Sequence, residues 1–587
     1  MLMAEPAQQC PPPVEWASGQ RRWVEVEDLV IVLAFLVFAV AFQLERWKGY
    51  NPFIYLDTDA GQITSFAAGW AHPDLFEGDA LLGNPQRYRF YTTIHIPLII
   101  LLGKLTGSYG TGFIALLGLH VFLMNLGFYV LGRAIFQNRL LALVLSLLVM
   151  PQLEAAPKEI WGIMYDPLPG FTFQALAPFL MASLFYYRRR PGAWPWLMIL
   201  AGALVYFHPV SAPSCCAGVW LGFWLMLPAA WSRRQKLIHM ARLAAVLVAV
   251  AMPFALWYLH YHDTGQADPL SAPIVDQALR TRMAPVDLSP VLAVQSFGRW
   301  LNTDFPYAYA GLGAAVLVLV LRRDDRRSVL MVLMWIVGIV LFSAGVPMLG
   351  HVLSRALNRT VPLQIDLARP LKYVVPYTML FLVWLLAELW HWLDRVRWRE
   401  WARWLAPPLQ VVLSAAGLSL VAFWHYRYPD VSLFPLPTVQ AWREGRWYSE
   451  KSILGPIHLA AIQKLGQLTP PRSRIFATNW GIAIRYTALR PVVYTYKDGG
   501  PFIYSDSRSL VKWYETFQRV GRLPGEGPTP ELLVRIVPAA RDLGAEYLFL
   551  SLTQIPDAAE ALASRFDMDL VWTDLYYAVY RFHPSAG

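Results

Sequence analysis

The hydrophobic runs constrain this chain most. Twelve lie near 29–44, 92–105, 110–134, 139–150, 175–187, 194–207, 215–231, 240–260, 306–321, 329–348, 371–392 and 407–424. A hydrocarbon core about 30 Å thick is crossed by about 20 apolar residues in a helix. Inside it every backbone N–H and C=O must pair within the chain, so spanning segments are helical. Charged residues are only 15% of the 587 in the chain, where a soluble protein would carry roughly 25%. The fold class expected is a polytopic α-helical membrane protein.

The positive charges set the number of crossings. Net charge is +10, but the basic residues cluster in short loops between runs. That is a topology signal rather than a nucleic-acid footprint, and no nucleic-acid partner is expected. The strong clusters are Arg188–Arg190, Arg233/Arg234/Lys236, Arg322/Arg323/Arg326/Arg327 and Arg395/Arg397/Arg399/Arg403. Each consecutive pair is separated by two runs, so all four share a side, with Arg21-Arg22. Twelve spans break that parity, and removing one early run restores it. The run 92–105 is short and contains His95 and Pro97, which fits an interfacial or re-entrant segment. About eleven transmembrane helices remain, with a cytoplasmic N-terminus and the tail outside. Arg21-Arg22 before the first run resembles a signal sequence, with Ala39-Val40-Ala41 as a possible cleavage site. The run continues to Leu44, so it reads as an uncleaved first helix.

Two domains follow from composition. Residues 1–425 form the membrane domain, with a long first outer loop at 45–109. Residues 426–587 regain charge, and their hydrophobic runs shorten to strand length. Strands are expected near 474–478, 492–496, 547–550, 569–573 and 576–582, with helices at 507–520 and 530–543. This is a small extracytoplasmic α/β domain. The three cysteines, Cys10, Cys215 and Cys216, have neither metal-site nor disulfide-framework spacing.

The outer loops hold the candidate chemistry. Asp57 and Asp59, in Tyr55-Leu56-Asp57-Thr58-Asp59, follow the first span closely. A carboxylate there can act as a general base. A D-x-D pair can also hold a divalent cation such as Mg or Mn, with Asp166 as a further ligand to Asp59. Alternatively, one aspartate caps the helix at 60–70. The second outer loop offers Glu159 and Asp166, the latter in the turn signal Tyr165-Asp166-Pro167. His208 sits where two prolines break a run, as a proton shuttle or a polar anchor. In the fifth outer loop Arg355, Arg359, Arg369 and Lys372 place cations outside, against the usual bias. A lipid phosphate or pyrophosphate would explain them, as would ion pairs to Asp366. Phosphate-loop, zinc-protease and dinucleotide motifs do not occur.

This layout resembles the GT-C superfamily of integral-membrane glycosyltransferases. The resemblance rests on the multi-helix N-terminal region, Asp57-Thr58-Asp59 in a long first outer loop, and the C-terminal α/β domain. It implies a polyprenyl-phosphate or polyprenyl-diphosphate sugar donor and a glycan, lipid or protein acceptor. It implies a catalytic acid at Asp57 or Asp59, with Glu159 and Asp166 available in the second loop. A bacterial inner (plasma) membrane is the expected location. The W-W-D-x-G acceptor motif of oligosaccharyltransferases and the Asp-Glu pair of protein O-mannosyltransferases do not occur. A lipid-linked sugar transporter or flippase, which would show inverted repeats, and a non-catalytic scaffold are the alternatives.

Overall fold

The computed structural model describes residues 26–49, 59–91, 93–151, 153–155, 159–164, 166–261, 272–283, 289–303, 305–322, 325–357, 365–396, 454–479, 481–521, 528–556 and 558–583, with short helical pieces between 411 and 422. It is mostly helical. The membrane-domain elements are α1 (Val26–Gly49), α2 (Asp59–Ala71), α3 (His95–Thr106), α4 (Tyr109–Ile114), α5 (Leu116–Phe136), α6 (Arg139–Leu148), the hairpin β1 (Leu153–Ala155) and β2 (Glu159–Trp161), α7 (Pro169–Tyr187), α8 (Trp194–Ala203), α9 (Ala212–Met226), α10 (Arg233–Tyr261), α11 (Ala272–Arg282), α12 (Pro290–Thr303), α13 (Tyr307–Leu321), α14 (Arg326–Leu357), a 3-10 segment Ile365–Tyr373, and α15 (Val374–Val396).

Among the described residues, five segments are long and apolar enough to cross a membrane: Val26–Leu44, Tyr109–Phe136, Arg233–Tyr261, Arg326–Leu353 and Arg369–Leu393. A sixth is possible if α12 and α13, bent by 87° between Val294–Thr303 and Tyr307–Leu321, count as one broken span. Other expected spans fall on shorter apolar helices, Arg139–Leu148, Pro191–Tyr206 and Ala212–Met226. The first helix runs unbroken through Ala39–Ala41 to Gly49. Its Leu29, Leu33 and Val37 are exposed, as are Val248 and Leu256 on α10. Contiguous exposed apolar faces of this size suit lipid rather than water. Close helix contact comes from small residues: a Cβ on Gly338 of α14 would lie 2.1 Å from the Cα of Gly218 on α9. Such contacts are how helices pack where lipid supplies no hydrophobic drive.

Arg133, Arg139, Arg188, Arg189 and Arg322 gather at one end; the side chains of Arg395, Arg397, Arg399 and Arg403 lie outside the described residues. Thr172, early in α7, bonds His120, early in α5, so these helices run parallel. Arg133, in the last turn of α5, and Arg188, just past the end of α7, therefore face the same way. Arg133 and Arg139 each approach Asp28, at the start of α1, at 3.4 Å. Arg188 and Arg189 reach Asp325 at 3.1 and 2.9 Å, and Arg322 reaches Glu388 at 3.5 Å.

The other end carries the C-terminal segment: α16 (Leu454–Leu468), β3 (Ile475–Ala477), α17 (Gly481–Thr487), α18 (Gly499–Ser505), α19 (Ser507–Val520), α20 (Pro530–Asp542), β4 (Tyr547–Ser551), α21 (Ala559–Phe566), β5 (Met568–Thr573) and β6 (Tyr577–Phe582). Its sheet has the order β3-β4-β6-β5, with β3 parallel to β4 and the other pairs antiparallel. The helices α19 and α20 lie where the sequence places them; Asp506 and Thr529 cap their first turns. The expected strand at 492–496 differs. Val492 makes a single parallel bridge to Ile475, and the chain then turns into a 3-10 turn, Tyr496–Asp498. Side-chain demands on Lys497 and Asp498, described next, pull it out of the sheet.

This segment shares its core with residues 60–113, between the first two long helices. Ala60, Phe66, Phe76, Tyr88, Ile96 and Phe113 belong to the same buried cluster as Ile475, Phe549, Val579 and Tyr580. The helix α3 packs on α2 and α4 within this cap. Its Ile96 and Ile99 belong to this cluster rather than to the bundle core.

Candidate functional site

Two polar clusters sit where α2 meets the turn Tyr496–Asp498, and adjacent residues of that turn feed each. The first is closed. Arg485 of α17 is 1% exposed. Its Nε donates to Asp79 Oδ2 at 2.8 Å; Nη1 and Nη2 donate to Asp498 at 2.6 and 2.9 Å; Nη2 also reaches the Val492 carbonyl at 3.3 Å. Asp79 further accepts the backbone N–H groups of Leu81, Leu82 and Val492. Burial and the nearby Asp79 charge hold the Asp498 carboxyl above its ordinary range, despite Arg485. Among partners this well arranged, a buried charge cluster acts as a clamp, here tying the first outer loop to the C-terminal segment.

The second cluster is open. Asp59 lies in the first turn of α2, where the helix dipole favours a carboxylate. Lys497 Nζ donates to its Oδ1 at 3.0 Å, and Gln62 Nε2 donates to the Lys497 carbonyl at 3.0 Å. The Asp59 side chain is 61% exposed. Desolvation still acts most strongly on it and pushes its carboxyl up, because protein displaces much of the surrounding water while one side stays open. Lys497, then Arg369 and Arg282, outweigh that push, and the net shift is downward. Three cations from three segments therefore surround one reachable carboxylate.

The sequence-expected residues fall around this recess unevenly. Asp57 and Arg359 lie outside the described residues, as do the side chains of Glu159, Arg355 and Asp366. Glu159 is on β2, which packs on the 3-10 segment carrying Arg369 and Lys372. Arg369 is half-buried and acts on Asp59. Lys372 is 5% exposed, with its ammonium 5.5 Å from the Tyr373 ring. Asp166 is half-buried, and its carbonyl accepts the Leu168 N–H at 2.8 Å, which closes the expected turn. His208 Nδ1 accepts the Ser211 N–H at 3.2 Å and shares a 2.7 Å hydrogen bond with the Ser211 hydroxyl. That hydroxyl meets the Tyr373 hydroxyl at 3.0 Å. The His208 corner is thus linked to the Arg369-bearing segment, while its own bonds fasten the start of α9.

Sequence reasoning missed Lys497, Arg282 and the Arg485 clamp. It also missed a buried pair of histidines, His95 and His120, both bonded to the Thr172 hydroxyl at 2.8 and 2.9 Å. Burial lowers His95 to about 4, so it is neutral near pH 7. One signal was available: Tyr496-Lys497-Asp498-Gly499-Gly500 puts two charges into an apolar run.

Among the described residues no group of three or more His, Cys, Asp or Glu side chains forms a metal-ligand set. The described charges nearest Asp59 are cations, which suits an anionic ligand better than a metal ion. A crevice in the bundle between Phe128, Trp161, Phe173, Cys215 and Tyr377 holds about 20 Å³, room for one water. It is a packing gap. No protein-family model matches the chain, and no curated protein matches it in sequence.

Proposed function

We propose that this chain is a membrane glycosyltransferase of the GT-C type, transferring a sugar from a polyprenyl-(di)phosphate donor to a glycan, lipid or protein acceptor. The observation that carries the reading is the exposed Asp59 carboxylate, at the bundle end that bears the C-terminal segment, held among Lys497, Arg369 and Arg282. Transfer from a lipid phosphate needs a base for the acceptor hydroxyl and a positive field for the departing phosphate. Asp59 takes the acceptor proton as that oxygen bonds to the anomeric carbon. The bond from that carbon to the phosphate oxygen breaks, and its electron pair leaves with the lipid phosphate, which Arg369 stabilises.

The gathering of basic clusters opposite this recess supports an outer-face site under the positive-inside rule. About eleven passes complete the proposed topology, with an extracytoplasmic C-terminal segment; they count the bent pair, the three shorter helices, Pro169–Tyr187 and the run 407–424, which lies largely outside the described residues. The test is sugar transfer in vitro from a labelled polyprenyl-phosphate sugar. Asp59→Asn should insert normally and lose about 10²–10⁴ in turnover. Full transfer by both Asp57→Asn and Asp59→Asn overturns the mechanism.

A further inference from the structure

Arg282, at the end of α11, brackets the turn that carries Lys497. Its guanidinium lies 5.4 Å from the Tyr496 ring centroid. A Cβ on Gly500 would come within 3.1 Å of its Nη2, so the backbone approaches closely there. The Arg282 Nε is buried and, among the described residues, has no hydrogen-bond partner. A buried donor without an acceptor carries a desolvation cost that a ligand can recover. Nε with one Nη is also the guanidinium edge that makes paired bonds to a phosphate. Arg282 and Lys497 both act on the Asp59 carboxylate, so an oxyanion between them would meet two cations from separate segments.

We propose that Arg282 and Lys497 form a phosphate-binding subsite, in which the ligand's oxyanion takes the Arg282 Nε edge and draws Lys497 off Asp59. The C-terminal segment then supplies part of the ligand site itself. The Lys497–Asp59 ion pair spans 3.0 Å and lies at a partly exposed position. When phosphate enters, Asp59 loses its nearest cation and becomes a stronger base as the donor arrives. This rests on reading the recess as the donor site. A lipid phosphate and a free phosphate offer the same chemistry.

Equilibrium binding of labelled pyrophosphate and of a polyprenyl phosphate to the full chain in detergent tests it. Saturable binding of either is expected. Arg282→Gln should weaken it roughly ten- to hundredfold, the usual worth of one charged hydrogen bond, and Arg282→Lys should restore part. Binding of the polyprenyl phosphate alone assigns the subsite to the lipid donor; equal binding of pyrophosphate assigns it to the phosphate group itself. Lys497→Gln, on a different element, reads the same site should Arg282→Gln fold poorly. Wild-type affinity in both variants, or no saturable binding of either probe to the wild type, overturns the proposal. Turnover is not needed. Intact phosphate binding without sugar transfer therefore overturns the glycosyltransferase reading and leaves this one standing.

Discussion

Lys497 and Asp498 are neighbours in the chain, yet they serve opposite kinds of site. Asp498 enters a cluster at most 2% exposed, in which Arg485 is bonded to two carboxylates and a carbonyl. Lys497 reaches Asp59, whose side chain is 61% exposed and on which Arg369 and Arg282 also act. In the closed cluster one guanidinium is bonded to both buried acids. Closure and a full set of bonds leave a cluster nothing to do except hold. Exposure leaves the other able to exchange partners. A residue pair seen only in sequence, Lys-Asp before two glycines, does not say which is which.

The largest effect expected from this contrast is at Arg485. Arg485→Met keeps the side chain's length but leaves Asp79 and Asp498 buried without a counter-charge. Removing one partner of a buried ion pair costs about 3–5 kcal/mol. The loss should appear as a lower unfolding temperature of the detergent-solubilised chain, with the C-terminal segment becoming protease-sensitive. A melting curve like the wild type's would mean that the shared apolar core alone joins the cap, and the contrast would fail.

The contrast also marks what the sequence could reveal. Hydrophobic runs gave most of the helices, because burial in lipid imposes a strong pattern. The one-sided basic clusters were legible for the same reason, and Arg188, Arg322 and Arg133 do share an end. Asp59 and Arg369 were legible because charge beside a span is rare. Lys497, 438 residues from Asp59, and Arg282 were not. Their roles depend on how the cap folds back onto the first outer loop, and no periodicity records that. The strand expected at 492–496 failed for a related reason. Its apolar alternation was real, but two charged side chains with distant partners prevailed over β-propensity.

A middle-sized effect lies in the pH dependence of stability. The Asp59 carboxyl is lowered in the folded chain, so its contribution is present above the ordinary value near ~3.9 and is lost as pH falls through the folded value. The Asp498 carboxyl is raised, so its contribution is present below that ordinary value and is lost as pH rises through its folded value. The two residues thus push the unfolding temperature in opposite directions across the mildly acid range. Asp498→Asn should remove the part that declines with rising pH, and Asp59→Asn the part that declines with falling pH. Unfolding temperatures of the two variants across pH 3–7 measure this. If both variants bend the profile the same way, the clusters are not of different kinds.

The smallest effect on stability, and the sharpest on function, is expected from Lys497→Met. A partly exposed ion pair is worth about 0–1 kcal/mol, so the unfolding temperature should hardly move. Asp59 nevertheless loses the cation that does most to lower its carboxyl, and its value should rise towards the ordinary one. Arg369 and Arg282 still oppose desolvation and limit the rise. A base works in its ionised form, and transfer therefore fails as pH drops through its value. The acid limb of kcat/KM, which reports the donor-free enzyme, should move to higher pH in Lys497→Met, with plateau behaviour readable above it. A fixed limb would show that Asp59 is not the group titrating in the rate. A loss of stability as large as that of Arg485→Met would show something else: the open recess would then be a second clamp, and its exposed carboxylate a structural residue.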